Sequence, residues 1–283
     1  MRTRDLRLLL LATAVAAAAL SASRLTAQAP GGQGYTPPRT AAGHPDLQGV
    51  WRAWNLAKFD LEAHGARPGV PAGLGFVVDP ADGKIPYQPA ALKRRAENYA
   101  NTKDPDPWKN ADPLVKCYLP GVPRITYIGW PFQIIQTADI VTFNYEWSHK
   151  KRQIPVGAKQ PPLPSPEDVL NWQGVPRGRF EGNTLVIETR NLKFNEKSRF
   201  GVGYLNGLSD ENLRVVERFT RTDANTLTYQ ATVEDPTVFV KPWTVEISMD
   251  RTEGPLFEVA CHEGNYGMFN ILSGHRAEER RGR

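Results

Sequence analysis

Residues 212–251 read NLRVVERFTRTDANTLTYQATVEDPTVFVKPWTVEISMDR, and this stretch decides the fold class. Val, Thr, Tyr, Phe and Trp are frequent in it, and apolar and polar residues alternate with a period of two, as in half-buried strands. Residues 222–225 separate two of these runs at hairpin spacing. The stretch therefore predicts antiparallel strands over 212–221, 226–234 and 243–251.

The same pattern continues outward along the chain. Further strands are predicted at residues 47–51, 132–137, 140–149, 184–190 and 256–261. Many short strands joined by tight turns are typical of a barrel or a sandwich, and closure into a barrel removes exposed edges. The predicted fold is therefore mainly β, an antiparallel β-barrel with an irregular arm over 55–123 that contains one helix at 90–100.

The N-terminus predicts export. Arg2, Arg4 and Arg7 precede an apolar run from Leu8 to Leu20, which is too short to span a bilayer and is followed by small residues. This is typical of a cleaved signal peptide over 1–27, so we expect a periplasmic or secreted protein, free of the membrane after cleavage. Residues 28–45 are then a flexible lead-in, 46–275 a single barrel domain and 276–283 a disordered basic tail.

Charge and cysteine content narrow the function classes. Residues 1–27 hold four arginines and one aspartate, so the formal charge of +5 falls to +2 without them. A charge this small gives no electrostatic reason to expect a nucleic-acid partner. The only two cysteines, Cys117 and Cys261, form either a disulfide in an oxidising compartment or two separate buried thiols.

Alternation along each strand sorts the side chains into an inner and an outer face. The predicted inner positions of three strands are Val141, Phe143, Tyr145, Trp147 and His149; Leu227, Tyr229, Ala231 and Val233; and Trp243, Val245, Ile247 and Met249. On two more strands, Glu217 and Glu263 share the inner face with apolar residues. A buried carboxylate needs a cation, hydrogen-bond donors or a wet cavity. A ligand cavity and a buried ion pair with Arg152, Arg177 or Arg218 both remain open.

These residues define a predicted site at the barrel mouth. The candidates for proton transfer are Glu217, Glu263, His262 and His149. Histidine titrates near neutral pH, and the two glutamates interrupt apolar faces. The candidates for ligand binding are Glu146, Arg152, Tyr145, Trp147, Tyr229 and Trp243. The sequence has no His-x-His pair, phosphate loop or dinucleotide fingerprint, so we expect neither a metal nor a cofactor.

Five segments resemble the signature segments of a large family of exported bacterial β-rich proteins. They are Gly178–Thr189, Glu217–Asp223, Thr226–Tyr229, Val233–Pro236 and Cys261–Tyr266. The resemblance covers roughly residues 45–275 and implies export and a β-rich fold, but no particular activity. The chain departs from the family at 156–159, where members have an Asp-Gly-Arg turn. Gly49–Trp51 is also similar to the Gly-x-Trp start of lipocalin-like barrels, which implies a ligand-holding interior.

Together these features predict an exported protein that binds a small organic molecule. One hypothesis is an acid–base enzyme of the lyase, isomerase, cyclase or hydrolase type, in which an arginine stabilises developing negative charge. The alternative is a non-catalytic periplasmic carrier or binding protein. A structural envelope protein is a third possibility, which the buried acids disfavour.

Overall fold

Ten antiparallel strands form one sheet in the computed structural model, which describes residues 34–67, 69–101, 112, 114, 117–158, 160, 162, 171–192 and 212–282. Contacts divide the chain into Met1–Tyr35 and Thr36–Arg283, and the sheet belongs to the second unit. The mainly β, antiparallel architecture predicted from the sequence is confirmed. The predicted signal peptide lies outside the described residues and stays a prediction.

The strands vary in length from three to ten residues. They are β1 (Gly49–Arg52), β2 (Val77–Asp79), β3 (Phe132–Gln136), β4 (Ile140–Tyr145), β5 (Lys151–Pro155), β6 (Val175–Glu181), β7 (Thr184–Arg190), β8 (Arg214–Arg221), β9 (Thr226–Glu234) and β10 (Trp243–Thr252). Their order is β5-β4-β3-β1-β10-β9-β8-β7-β6, with β2 paired to β10 beside this path. Because β1 lies between β3 and β10, the first strand joins the two halves of the sheet.

The sheet is not closed into a barrel, which corrects the closure expected from the sequence. Its edge strands β5 and β6, both described in full, form no ladder with each other, yet they approach closely at Gly178. A Cβ atom at Gly178 would lie 2.7 Å from both Ile154 Cγ2 and Val156 Cγ1. Side chains of β5 and of the residue that follows it therefore pack directly against the backbone of β6. We call this contact the β5–β6 seam.

The interior of the sheet follows the predicted alternation. All predicted inner positions of β9 and β10 are buried, as are those of β4 and Trp147 just beyond it. The ring of Phe219 on β8 lies 5.0 Å from that of Phe143 and 4.8 Å from that of Tyr229, measured between centroids. These aromatic contacts join β4, β8 and β9 across the interior, so both halves of the sheet share one core.

Two α-helices accompany the sheet in the described part of the chain. Helix α1 (Pro89–Asn101) confirms the helix predicted in the arm, and its first residue is a proline, as is common at helix starts. Helix α2 (Tyr266–Arg280) begins after Asn265, whose side chain accepts a hydrogen bond from the Met268 N–H at 2.9 Å. This helix is absent from the sequence prediction and includes residues 276–280, where a disordered tail is expected. No described helix is long and apolar enough to cross a membrane.

The segment before α2 also differs from the prediction, because no strand forms over 256–261. Val259 makes an isolated parallel bridge with Trp147. The backbone N–H of Phe257 donates to Glu146 Oε2 at 2.9 Å. A backbone N–H that is bonded to a side chain is not available for a ladder. The segment therefore crosses the end of β4 without joining the sheet.

Cys117 and Cys261 form a disulfide, which confirms one of the two alternatives left open by the sequence. The bond joins residues 144 positions apart. Closing a loop of this length restricts the unfolded chain, which in the chain-entropy treatment stabilises the fold by about 5 kcal/mol. The disulfide therefore fixes the C-terminal segment to the chain that precedes β3.

Candidate functional site

A buried ion pair lies where the sequence places an acid among apolar residues. Glu217 on β8 and Arg152 on β5 bring Oε2 and Nη2 to 2.6 Å, with side-chain exposures of 0% and 2%. Strand β5 is one edge of the sheet, and β8 lies two strands in from the other edge. The pair therefore connects the two sides of the β5–β6 seam through the interior. Of the three arginines that the sequence offers as partners, Arg152 is the one found.

Three further side chains surround this pair, and we call the group the Arg152–Glu217 centre. The Tyr229 hydroxyl donates to Glu217 Oε1 at 2.9 Å, and the Thr126 hydroxyl donates to the same oxygen at 3.5 Å. Arg152 Nη2 also donates to Thr189 Oγ1 at 2.6 Å. The carboxylate thus has both a cation and hydroxyl donors, which a buried charge requires.

Within the described residues, the centre and the segment before β6 both contain buried polar atoms without a hydrogen bond of normal geometry. Nε and Nη1 of Arg152 are buried and have no partner of normal hydrogen-bond geometry in the described part of the chain, although the guanidinium also forms a side-chain hydrogen bond with the Tyr145 hydroxyl. Both amide atoms of Gln173 are likewise buried and without such a partner in the part described. The neighbour of Gln173, Gly174, packs so closely on Thr189 that a Cβ there would lie 2.5 Å from Thr189 Cγ2. An unpaired buried polar group costs about 1–3 kcal/mol, so these atoms favour a further polar partner.

The surroundings raise the pKa values of Arg152 and of two tyrosines beside it. Burial raises the pKa of Tyr145 to about 12, although the positive charge of Arg152 opposes this rise. Burial also raises the pKa of Tyr229, and the charge of Glu217 adds to the effect. Burial alone would lower the pKa of Arg152, but the charge and hydrogen bond of Glu217, together with Tyr145 and Tyr229, outweigh it and the pKa is raised. At neutral pH the tyrosines are therefore neutral and Arg152 is a cation.

Four of the predicted site residues lie together here: Glu217, Arg152, Tyr145 and Tyr229. Sequence reasoning missed Thr126 and Thr189. Thr189 follows Leu185 and Ile187 at alternate positions of β7, so the alternation rule could have found it. Thr126 ends a short 3-10 helix, Arg124–Thr126, where no strand period applies. The part of the centre that lies outside strands therefore has no signal in the sequence.

The other candidates for ligand binding lie elsewhere. Glu146 follows β4 and accepts the hydrogen bond from the crossing segment described above. Trp147 packs edge-on against Trp130 with ring centroids 4.8 Å apart. Trp243 on β10 packs edge-on against Phe239 at 5.5 Å. These contacts place the three predicted residues in the packing of the protein rather than in the centre.

The predicted interior position of His149 and Glu263 is wrong, because both are exposed, and the third candidate, His262, is exposed as well. Strand β4 ends at Tyr145, and His149 lies in the following turn with a φ of 48°. A left-handed turn residue breaks the alternation of the strand before it. His262 and Glu263 lie in a turn after the disulfide, where no strand forms. None of the three shares the buried environment of Glu217.

A second charged cluster lies across β7, β8 and β9. Glu188 Oε1 accepts hydrogen bonds from Arg214 Nε at 2.8 Å and from Arg190 Nε at 2.9 Å. The hydrogen bond from Arg214 is the largest cause that lowers the pKa of Glu188 to about 2. Arg214 also pairs with Glu234 at 2.9 Å. Because these groups satisfy one another, the cluster stabilises three neighbouring strands.

Comparisons with known proteins give no assignment. No protein-family model matches the sequence, and no curated protein is significantly similar to it. The resemblance to an exported bacterial family therefore stays a prediction. Among the residues that the structure describes, no group of three or more His, Cys, Asp or Glu could hold a metal ion. The expectation that the protein uses neither metal nor cofactor also stays a prediction.

Proposed function

We propose that this chain is an exported protein that binds a small organic molecule at the Arg152–Glu217 centre without transforming it. One observation carries the proposal. The buried guanidinium of Arg152 has two nitrogen atoms, Nε and Nη1, without a hydrogen-bond partner of normal geometry in the described residues. Unpaired charged donors in an apolar interior are costly. An acceptor group on a ligand would satisfy them.

The surroundings indicate the chemical class of the ligand. The charges of Arg152 and Glu217 cancel, so the centre has no net charge to attract a strongly ionic molecule. The two nitrogen atoms of Arg152 without a geometric partner among the described residues are N–H donors, which suit a carbonyl or hydroxyl oxygen. The rings of Phe143, Phe219 and Tyr229 supply apolar surface in the same interior. A mostly apolar molecule with one or two oxygen acceptors fits this combination.

The acid–base alternative has less support. It requires a group that moves a proton beside Glu217, whose contacts are with Arg152, Tyr229 and Thr126. The raised pKa values of Arg152 and Tyr229 keep both groups protonated at neutral pH. Both histidines proposed for proton transfer are exposed. The geometry therefore favours binding over acid–base catalysis.

Export is supported by the N-terminal sequence and by the disulfide, since disulfides persist in oxidising compartments. Fractionation of cells that produce the full chain should recover it outside the cytoplasm. Leu10→Arg interrupts the apolar run and should keep the chain in the cytoplasm. Recovery of the unchanged chain only from the cytoplasm would refute export and leave the binding proposal standing.

The binding proposal is tested by mass spectrometry of small molecules extracted from the purified protein. We expect a molecule to accompany the unchanged chain and to be missing from the double variant Arg152→Met/Glu217→Gln, which lacks the guanidinium donors. The control removes a solvent-exposed pair on α1, Lys93→Met/Glu97→Gln, and should retain the molecule. The proposal fails if the unchanged chain carries nothing, or if the interior double variant carries as much as the control.

A further inference from the structure

An exposed tryptophan beside a cation marks a surface cavity, none of whose lining residues belongs to the Arg152–Glu217 centre. Trp54 follows β1 and is 70% exposed. The guanidinium carbon of Arg52 lies 3.8 Å from the centroid of its ring. A large aromatic ring that is exposed to solvent and contacts a cation presents a flat apolar surface on which another ring can stack.

The cavity, which we call the Trp54 pocket, has a volume of about 260 Å³ and is lined by Arg52, Trp54, Lys58, Phe59 and Gly129 among others. Gly129 contacts the side chains of its two cationic residues, and the ammonium of Lys58 lies 4.9 Å from the centroid of the Phe59 ring. The Gly129 carbonyl accepts a hydrogen bond from Arg52 Nε at 2.7 Å, and a Cβ at this glycine would lie 3.6 Å from Lys58 Cδ. The side chains of Arg52 and Lys58 therefore converge on one pocket with Gly129 between them.

The pocket is positively charged. No acidic residue lines it, and neither Arg52 nor Lys58 takes part in an ion pair in the part of the chain that the structure describes. Two other cavities differ in this respect. In one, Arg67 pairs with the lining residue Asp60 at 2.9 Å, and the other contains Glu188. The Trp54 pocket thus has two cations available for an anion from solution.

We propose that the Trp54 pocket binds a small aromatic carboxylate with a single ring. The carboxylate accepts hydrogen bonds from Arg52 and Lys58. These bonds are charge-assisted and therefore about twice as strong as hydrogen bonds between neutral groups. The ring of the ligand stacks on the exposed part of Trp54. A volume of about 260 Å³ is at the small end of ligand pockets, so it suits one ring with a short substituent. Charge and stacking together distinguish this ligand from the uncharged one proposed for the interior.

The test uses the full chain with para-fluorobenzoate as the probe, followed by fluorine NMR. The uncharged analogue para-fluorobenzamide has the same ring and is the matched control ligand. We expect para-fluorobenzoate to bind and the amide to bind about tenfold more weakly, because it cannot form the charge-assisted hydrogen bonds. Failure of para-fluorobenzoate to bind, or equal binding of the two molecules, would overturn the proposal.

Variants locate the binding in the pocket. Lys58→Gln and Trp54→Ala should each weaken para-fluorobenzoate binding about tenfold, since one removes a charge and the other the stacking surface. Lys58→Arg keeps the charge and should bind within about threefold of the unchanged chain. Lys241→Gln removes an exposed lysine outside the pocket and should have no effect. If Lys241→Gln weakens binding as much as Lys58→Gln, the attraction is non-specific and the pocket is not the site.

Discussion

Removing one member of the Arg152–Glu217 pair should destabilise the protein more than removing both. Arg152→Met leaves Glu217, whose side chain is fully buried, as a charge with only hydroxyl donors. Glu217→Gln leaves the buried guanidinium without a counter-charge. Breaking a buried pair from one side costs about 3–5 kcal/mol, and we expect this cost for each single variant.

The double variant should recover part of this loss. Arg152→Met/Glu217→Gln removes both charges, and the new amide oxygen still accepts the hydrogen bond that the Tyr229 hydroxyl donates to Glu217 at 2.9 Å. Replacement of a buried pair by hydrophobic side chains of similar volume is often neutral or stabilising, but the buried amide N–H groups that Glu217→Gln introduces cost about 1–3 kcal/mol, so the double variant should unfold within about 3 kcal/mol of the unchanged chain. If the two single losses added, the double variant would lose about 6–10 kcal/mol.

Urea unfolding of the four proteins, with the disulfide intact, measures these free energies. Losses below about 1 kcal/mol in both single variants would contradict a tightly coupled buried pair. If the double variant loses as much stability as the two single variants together, an unpaired buried charge is not the cause of the loss in the single variants. If both single variants are unfolded in the absence of urea, the double variant still tests the coupling of Arg152 and Glu217, because the double variant is expected to fold only if the two charges are coupled.

Three other changes test the stability of the sheet. The pKa of Glu188 is about 2 in the folded protein and 4.5 ordinarily. The ionised carboxylate therefore stabilises the fold fully above pH 4.5, and this stabilisation is lost as the pH falls through 2. Glu188→Gln should therefore cost about 1–2 kcal/mol at neutral pH and much less near pH 2 in urea titrations, and an equal cost at both would contradict the assigned pKa. Gly178→Ala should lower the free energy of unfolding by about 1–3 kcal/mol, because the added Cβ collides with side chains at the seam. The control Gly65→Ala should lower it little, because no atom lies within 4 Å of the added Cβ. Equal unfolding temperatures of the two variants would refute the close contact at Gly178. Reduction of the Cys117–Cys261 disulfide should cost about 3–5 kcal/mol in thermal unfolding, and no change would show that the bond adds nothing.

The sequence predicts best the features that depend on local pattern. The buried faces of β8, β9 and β10 follow from the period of two, because side chains two positions apart on a strand point to the same face of the sheet. The same rule places Glu217 inside, and the structure finds it there with no exposed surface. The helix at Pro89 is likewise a local feature, signalled by a proline followed by good helix formers.

Features that depend on distant contacts, or on the end of a strand, do not follow from this pattern. Alternation assigns His149 to the interior only if β4 continues past Tyr145, and the left-handed turn that ends the strand cannot be read from spacing. The choice of Arg152 as the partner of Glu217 depends on the order of nine strands. The two edges of the sheet approach at Gly178 through segments more than 20 residues apart, so local spacing signals neither this contact nor the missing ladder.

The open seam and the unpaired guanidinium are physically connected. Because β5 and β6 share no backbone ladder, side chains hold the two edges together, and Arg152 does so from β5 through Thr189 and Glu217. A ligand that bonds to Arg152 would add to this side-chain connection and stabilise the folded sheet by mass action. Binding and seam packing should therefore be coupled: Gly178→Ala, which disturbs the edges, should weaken ligand retention. An equally destabilising change remote from the seam should not weaken it. If both weaken retention equally, the ligand depends only on overall stability and the connection between seam and centre is wrong.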